Sequence, residues 1–266
     1  MYLVFDIGGT NIRMGISGNG QSFDNVSCIK TPQIFEEGIK IIENEIKKAG
    51  GGNTIRGVTA GFAGVWDKKK TKLLTSPNLK DWEGKEIKKR LEVASGGRVI
   101  LENDAALGGL GEAIAGAGRR KQTVGFLTVG TGVGGVKITD GKIETNAFGF
   151  EPGHQIIDVD GSIGYWEDFV SGRALERIYG RTPEEIADQQ AWENEARLLA
   201  VGIHNLIVIW SPEMIVLSGG VMQSVPFDLL KSTLKQQMMK FKSLPEVVPG
   251  ELGDKCGLFG GLELLK

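Results

Sequence analysis

Residues 2–7 form an almost unbroken apolar run that closes on Asp6-Ile7-Gly8-Gly9-Thr10, and a second apolar-rich run follows over residues 12–17. Two such runs around a Gly-Gly step predict a β-hairpin. Residues 23–29 read as a third strand. Apolar residues at 35, 39, 42 and 46 recur at helical spacing and predict a helix over 34–49, stopped by three glycines at 50–52. Residues 55–60 are strand-like and run into Gly61-Phe62-Ala63-Gly64; the charged stretch 67–72 reads as a solvated hairpin tip, and 82–91 as a helix. A short strand at 98–101 leads into Glu102-Asn103-Asp104, then into a helix of small residues over 105–117. Its glycines give it poor intrinsic propensity, so it must pack closely against a neighbour.

The pattern then repeats. Residues 123–129 and 136–139 read as strands around Gly130-Thr131-Gly132-Val133-Gly134-Gly135. Aligned at an offset of 122 residues, the stretch 128–138 has the layout of 6–16: strand, glycine-rich turn, strand. Self-similarity at about half the chain length suggests two related lobes. From about Ile163 the pattern turns helical, with one long helix over 192–209. A strand at 214–217 ends in Ser218-Gly219-Gly220, and helices follow over 227–239 and 257–265.

Composition narrows the function classes. The 266 residues carry 31 Lys plus Arg against 33 Asp plus Glu, a net charge of −2, so a dedicated nucleic-acid binder is not indicated. Two cysteines, Cys28 and Cys256, are too few for a disulfide framework or a Cys-rich zinc site, and a reduced, cytoplasmic setting is expected. The longest apolar runs fall far short of the ~20 residues of a membrane span. Glycine is the outlier, at 40 residues clustered where apolar runs end, as it is where backbone approaches a ligand.

Glycine turns such as 8–10 and 130–132 let backbone N–H groups converge on phosphate oxygens, with the Thr10 and Thr131 hydroxyls as added donors. Neither turn is followed by Gly-Lys-Ser/Thr or leads into a helix, so neither is a P-loop or a dinucleotide fingerprint. Asp6 at the end of a buried strand is costly unless something binds it; a turn cap and a hydrated Mg²⁺ on phosphates are both open. Asp104 is either the N-cap of the following helix or a general base. Glu151 and His154 bring a carboxylate and an imidazole together on a loop, whereas His204 belongs to the packing of the long helix.

The order Asp6-Ile-Gly-Gly-Thr10, Gly61-Phe-Ala-Gly-Val65, Asn78-Leu79 with Trp82, Glu102-Asn-Asp-Ala105, Gly130-Thr-Gly-Val-Gly-Gly135, Glu151-Pro-Gly-His154, Trp166-Glu167 leading to Ser171-Gly172, Ser218-Gly-Gly-Val221 and Gly257-Leu-Phe-Gly260 resembles the ROK family of sugar kinases and sugar-responsive repressors. The resemblance covers nearly the whole chain. It implies an α/β, two-lobed, actin-like (ribonuclease H-like) fold with a mixed sheet in each lobe and a cleft between them. The lobes expected are 1–104 plus 256–266, and 105–255. It implies ATP- and Mg²⁺-dependent phosphorylation of a hydroxyl of glucose or a related hexose or N-acetylhexosamine. Residue by residue, Asp104 matches the catalytic base. Asn78, Asn103, Glu151, His154 and Glu167 match the sugar-binding set. Gly8, Gly9, Thr10, Thr131 and Gly132 match the phosphate loops, and Gly219 and Gly220 the turn beside the adenosine; Asp6, from its place at the strand end, is grouped with them as cofactor-binding.

Two departures from the family stand out. Many members carry three cysteines after Glu-x-Gly-His that bind a structural zinc with the histidine; here Asp158, Asp160 and Tyr165 stand in their places. Zinc prefers thiolates in closed sites, so no structural zinc is expected; a carboxylate site on His154, Asp158 and Asp160 for a harder ion is the alternative. Loss of the metal leaves the loop needing other support, with Trp166 a candidate. Repressor members carry a helix-turn-helix before the first strand, and none precedes Asp6 in this sequence. Compactness and missing cysteines resemble polyphosphate-using glucokinases of the family, for which Arg119-Arg120-Lys121 could serve a long anion or simply end a helix in solvent. A non-catalytic sugar sensor is one further alternative, against which Asp104 speaks, and an actin-like ATPase that hydrolyses ATP without sugar is another, against which Glu151, His154 and Glu167 speak. No nucleic-acid or membrane partner is expected; a homodimer is the family-level expectation.

Overall fold

A computed structural model describes every residue except 145 and 148. It divides into two compact units, Met1–Ala115 with Thr145–Gly149 and Asp254–Lys266, and Gly116–Glu144 with Phe150–Gly253. The sequence reading ends its first lobe at Asp104; in the structure the helix that follows Asp104 belongs to the first unit.

In the first unit the chain makes β1 (Tyr2–Ile7), β2 (Asn11–Ser17), β3 (Asn25–Lys30), α1 (Phe35–Gly50), β4 (Gly57–Phe62), the short hairpin β5 (Val65–Trp66) and β6 (Leu73–Thr75), α2 (Ile87–Ser95), β7 (Arg98–Asn103) and α3 (Asp104–Ala115); the C-terminal helix Cys256–Glu263 completes it. The sheet order is β3-β2-β1-β4-β7, with β1, β4 and β7 parallel and the β1–β2–β3 meander antiparallel. Strand β1 is buried on both faces, as its continuous apolar run requires. Leu3, Phe5 and Ile7 pack with Phe35, Ile39, Ile42 and Ile46 of α1. Val4, on the other face, packs with Leu258 and Leu262 of the C-terminal helix.

The small-residue helix α3 finds its close neighbour in that same helix. A Cβ on Gly111 would lie 2.0 Å from the Cys256 carbonyl oxygen, and one on Gly260 1.9 Å from that of Leu107. Only glycine allows this approach, and the contact it permits offsets the helix-propensity cost of about 1 kcal/mol per glycine. The helix expected at 82–91 starts later. Lys80–Trp82 is a single 3₁₀ turn, because Trp82 is drawn into the core against Phe35 and Phe62, and α2 begins at Ile87.

The second unit contains β8 (Thr123–Val129), β9 (Val133–Thr139), β10 (Lys142–Ile143), the hairpin β11 (Ile156–Val159) and β12 (Ser162–Tyr165), α4 (Glu167–Val170), α5 (Gly172–Tyr179), α6 (Gln189–Trp210), β13 (Met214–Ser218), α7 (Phe227–Gln237) and β14 (Glu246–Pro249). Its sheet order is β10-β9-β8-β13-β14, again a meander joined to three parallel strands. The internal repeat seen in the sequence is therefore a repeat of topology: β8–β9 stands in its sheet as β1–β2 stands in the other. Residues 163–165, expected to open a helical region, are instead strand β12. Among the described residues no helix is long and apolar enough to cross a membrane.

Candidate functional site

In the first unit the candidate residues gather at the carboxyl ends of the parallel strands, where α/β sheets present ligand sites. Strand register sets Asp6, Gly61 and Glu102 in one row and Ile7, Phe62 and Asn103 in the next. The β1–β2 turn is built to show its donors. The Gly8 carbonyl accepts the Thr31 hydroxyl at 2.7 Å, the Gly9 carbonyl accepts Gln33 Nε2 at 2.8 Å, and the Thr10 carbonyl accepts the Thr31 N–H at 2.9 Å. With the acceptors tied down, the N–H groups of Gly9 and Thr10 donate to nothing among the described residues. Asn78 closes on this turn: a Cβ on Gly9 would sit 2.5 Å from Asn78 Cβ. The buried Trp82 anchors the segment that carries Asn78.

Asn103 rather than Asp104 caps α3. Asn103 Oδ1 accepts the Ala106 N–H at 3.0 Å while its Nδ2 donates to the Gly64 carbonyl at 3.2 Å. Asp104, the first helical residue, accepts the N–H of its neighbour Ala105 on Oδ1, at 2.9 Å. Burial raises its pKa above the usual carboxylate range, opposed by hydrogen bonds from the Ala105 N–H and its own backbone N–H. Asp6 is lifted to about 7, first by burial and then by the Asp104 charge, with Arg13 opposing and Asp254 adding to the rise. The sequence reading missed Arg13 and Asp254. They form an ion pair, and Arg13 lies directly across the β1–β2 ladder from Asp6. Cys256 is held as a neutral thiol, its pKa pushed up to about 12 by burial and the Asp6 and Glu112 charges.

The second unit gathers the other set at the matching end of its sheet. The turn Gly130-Thr131-Gly132 closes with a Gly130 N–H to Gly132 carbonyl bond of 2.9 Å, and the Gly130 carbonyl accepts the Gly172 N–H at 2.7 Å. Glu167, opening α4, accepts the Val133 N–H on Oε2 at 3.0 Å, and its Oε1 lies 3.6 Å from His154 Nε2. Glu151 Oε2 is 3.9 Å from His154 Nδ1, so the imidazole stands between two carboxylates. The Pro152–His154 segment is a 3₁₀ turn rather than an open loop. Parallel pairing of β13 with β8 brings Gly219 and Gly220 to the same sheet end as Thr131. Gly219 has φ +99° with a Cβ position 2.2 Å from the Val129 carbonyl oxygen, which only glycine tolerates.

The donors after His154 do not fit a structural zinc. Asp158 Oδ1 accepts the Gly161 N–H at 2.8 Å within the β11–β12 hairpin, and Asp160 and Gly161 occupy its turn with φ of 51° and 84°. That is the two-residue turn favoured by Asp-Gly, and it spends Asp158 on hairpin closure. Among the described residues no group of three or more His, Cys, Asp or Glu side chains is placed to hold a metal ion. Support for the hairpin comes from Trp166. The ring is fully buried against Gly202, its Nε1 donates to the Leu198 carbonyl at 3.0 Å, and its backbone N–H donates to the Gln155 carbonyl at 2.7 Å.

Two mixed five-stranded sheets with one strand order, each ending in a glycine turn, define a protein of the actin-like α/β class. The chain belongs to the ROK family, whose model matches residues 2–266. It is similar to the glucokinase of Streptomyces coelicolor, 27% identical, covering 98% of this chain and 96% of that one. It is equally similar to the N-acetyl-D-glucosamine kinase of Aliivibrio salmonicida, 27% identical over 98% of each chain. Among solved structures, the ROK family glucokinase from Streptomyces griseus in complex with glucose and AMPPNP matches with a TM-score of 0.82 at 27% identity, over 99% of this chain and 98% of that one.

Proposed function

We propose that this protein is a sugar kinase that transfers the γ-phosphoryl group of ATP to a hydroxyl of glucose or a closely related hexose or N-acetylhexosamine. The observation that carries the reading is Asp104. Asn103 provides the cap of the helix, so the buried Asp104 carboxylate is not needed for that role. A base needs to lie within ~3 Å of the acceptor hydroxyl and to have a pKa drawn toward neutrality. Relatives of both substrate kinds match over almost the whole chain, and the S. griseus neighbour holds glucose with an ATP analogue.

The roles follow from the chemistry of each group. Sugar hydroxyls both donate and accept, which suits Asn78, Asn103, Glu151, His154 and Glu167. The free N–H groups at Gly9 and Thr10, and the Thr131-Gly132 turn, suit phosphate oxygens, while the turn that Gly219 makes against Val129 leaves open space beside Gly220 for the nucleoside. Asp104 accepts the proton as the acceptor oxygen attacks, and catalysis is otherwise positioning and charge stabilisation. Mg²⁺, when bound with the nucleotide, neutralises phosphate charge, and Asp6 is the residue that fits it, because its carboxylate carries charge only at a cost in the ligand-free protein.

ADP release measured with ATP and Mg²⁺ across hexoses and N-acetylhexosamines, with a no-sugar control, tests the reading. Sugar-stimulated release is expected. Release that ignores sugar would replace it with an ATPase, and transfer seen only when polyphosphate replaces ATP would change the donor.

Asp6 carries a stability prediction. Its folded pKa lies above the unfolded value of 3.8, so its contribution to stability is fullest below pH 4 and is lost as pH rises through about 7. Asp6→Asn is therefore expected to raise the ligand-free Tm by roughly a few degrees at pH 8 and by almost nothing at pH 4. Thermal melts at the two pH values check this; an equal change at both removes the electrostatic explanation.

A further inference from the structure

The charged stretch 67–72 reads in the sequence as a solvated tip, but the structure ties it to the strand end that carries Asp104. Asp67 knits the tip of the β5–β6 hairpin. Its Oδ1 accepts the N–H groups of Thr71 at 2.6 Å and Lys72 at 2.9 Å, its Oδ2 accepts the Thr71 hydroxyl at 2.9 Å, and its carbonyl accepts the Lys70 N–H at 2.8 Å. Lys70 is thereby held at φ 49°, in the left-handed region that lysine enters only at a cost. From that conformation its ammonium donates to Glu102 Oε2.

Glu102 is buried on β7, at 7% exposure, and its other oxygen accepts the Asn103 N–H at 2.9 Å. One carboxylate thus joins the hairpin tip to the backbone that leads into Asn103 and Asp104. The hairpin base is fastened to the same strand through Asn103 Nδ2 and the Gly64 carbonyl. Beyond β6, the Ser76 hydroxyl donates to the Ala63 carbonyl at 2.8 Å and accepts the N–H of Asn78 at 3.4 Å and of Leu79 at 3.2 Å. The hairpin is therefore the link between Asn78 on one side and Asn103 with Asp104 on the other. An exposed lysine pair would not repay backbone strain, whereas a partner to a buried carboxylate is costly to remove.

We propose that Lys70 is a positioning residue for the sugar acceptor: through Glu102 it fixes the Asn103-Asp104 strand end relative to the β5–β6 hairpin, from which the chain leads into Asn78. The proposal rests on the sugar-kinase reading above.

The test compares Lys70→Met, Lys70→Gly and Lys70→Arg in the full chain, with the best sugar from the wild-type panel. Glycine accepts the left-handed conformation freely, so Lys70→Gly removes the ammonium without adding strain. Met and Gly are each expected to raise the sugar KM by roughly tenfold and to lower kcat several-fold, as small misplacements of reacting groups do, with the ATP KM within about twofold. The Lys70→Gly melting temperature is expected to fall, because loss of the partner to the buried Glu102 carboxylate costs more than the relieved backbone returns, so the sugar-against-ATP KM split and not stability is the deciding readout. Lys70→Arg is expected to recover most of the lost sugar affinity, since its guanidinium also pairs with a carboxylate. Unchanged sugar kinetics in Lys70→Gly and Lys70→Met, or equal rises in sugar and ATP KM, would overturn the proposal and leave the kinase reading standing. A wild type that shows no sugar-dependent phosphoryl transfer would overturn both.

Discussion

Replacing Asp104 by Asn is expected to lower kcat by about 10²- to 10⁴-fold, the usual worth of a positioned base, while sugar affinity changes by no more than a few-fold. Asn is isosteric and its Oδ1 can still accept the Ala105 N–H, so the local backbone has no reason to move. The cap of α3 is untouched, because Asn103 provides it. The loss therefore isolates proton transfer. Steady-state kinetics give kcat, and calorimetric titration of the sugar gives affinity without turnover; wild-type-like rates in the variant would sink the base assignment. The pH profile adds a second check. Burial lifts Asp104 above the ordinary carboxylate range and Asp6 is lifted to about 7 with Asp104 among its causes, so the acidic limb of kcat/KM reports a coupled pair. Activity is expected to fall on acidification at a pH well above 4. In Asp6→Ala, any residual activity is expected to keep an acidic limb above the ordinary carboxylate range, since burial and not Asp6 is what raises Asp104.

Much of this site was legible in the sequence because glycine turns and the residues next to them are local signals. The hairpin around Gly8-Gly9, its counterpart around Thr131-Gly132 and the Glu102-Asn103-Asp104 strand end are each short stretches whose chemistry needs no partner to be recognised. The repeated sheet order showed only as an offset between two hairpins, since strand pairing beyond a hairpin is a long-range choice. β14 was not foreseen: Val247-Val248 sit between prolines, too short for any period, and become a strand because β13 offers a parallel edge. The sequence pattern from about Ile163 predicts a helical region where the chain instead forms strand β12. The outward residues Ile156 and Ile163 of the β11–β12 hairpin are apolar yet exposed, at 70% and 75%, so the alternation that marks a half-buried strand is missing. Lys70 was passed over for a different reason. Its φ and its buried partner, thirty-two residues further on, exist only once β7 lies beside the hairpin.

Glu195 marks where the second unit gives up stability. It sits in α6 at 2% exposure, between Ala196 and the turn that carries Trp192, with Oε1 buried and no hydrogen-bond partner. Burial alone pushes its pKa from 4.5 to about 9. A folded pKa above the unfolded one means the acid is tolerated only while protonated. Its contribution to stability is fullest below pH 4.5 and is lost at about 1.4 kcal/mol per pH unit as pH rises toward 9. Between pH 4.5 and 7 the protein therefore forfeits about 3 kcal/mol that an uncharged isostere keeps. Glu195→Gln is expected to weaken less steeply than the wild type across pH 5 to 8, keeping only the slope that Asp6 and Asp104 contribute. Glu195→Leu is expected to be more stable still, since it also removes the unpartnered oxygen from an apolar setting. Denaturation midpoints at four pH values decide the matter: parallel wild-type and Glu195→Gln curves would mean that Glu195 is solvated or paired in the folded chain. Neither variant touches a residue proposed to bind sugar or nucleotide, so kcat is expected to stay within about twofold, and the gain in stability should come without loss of activity.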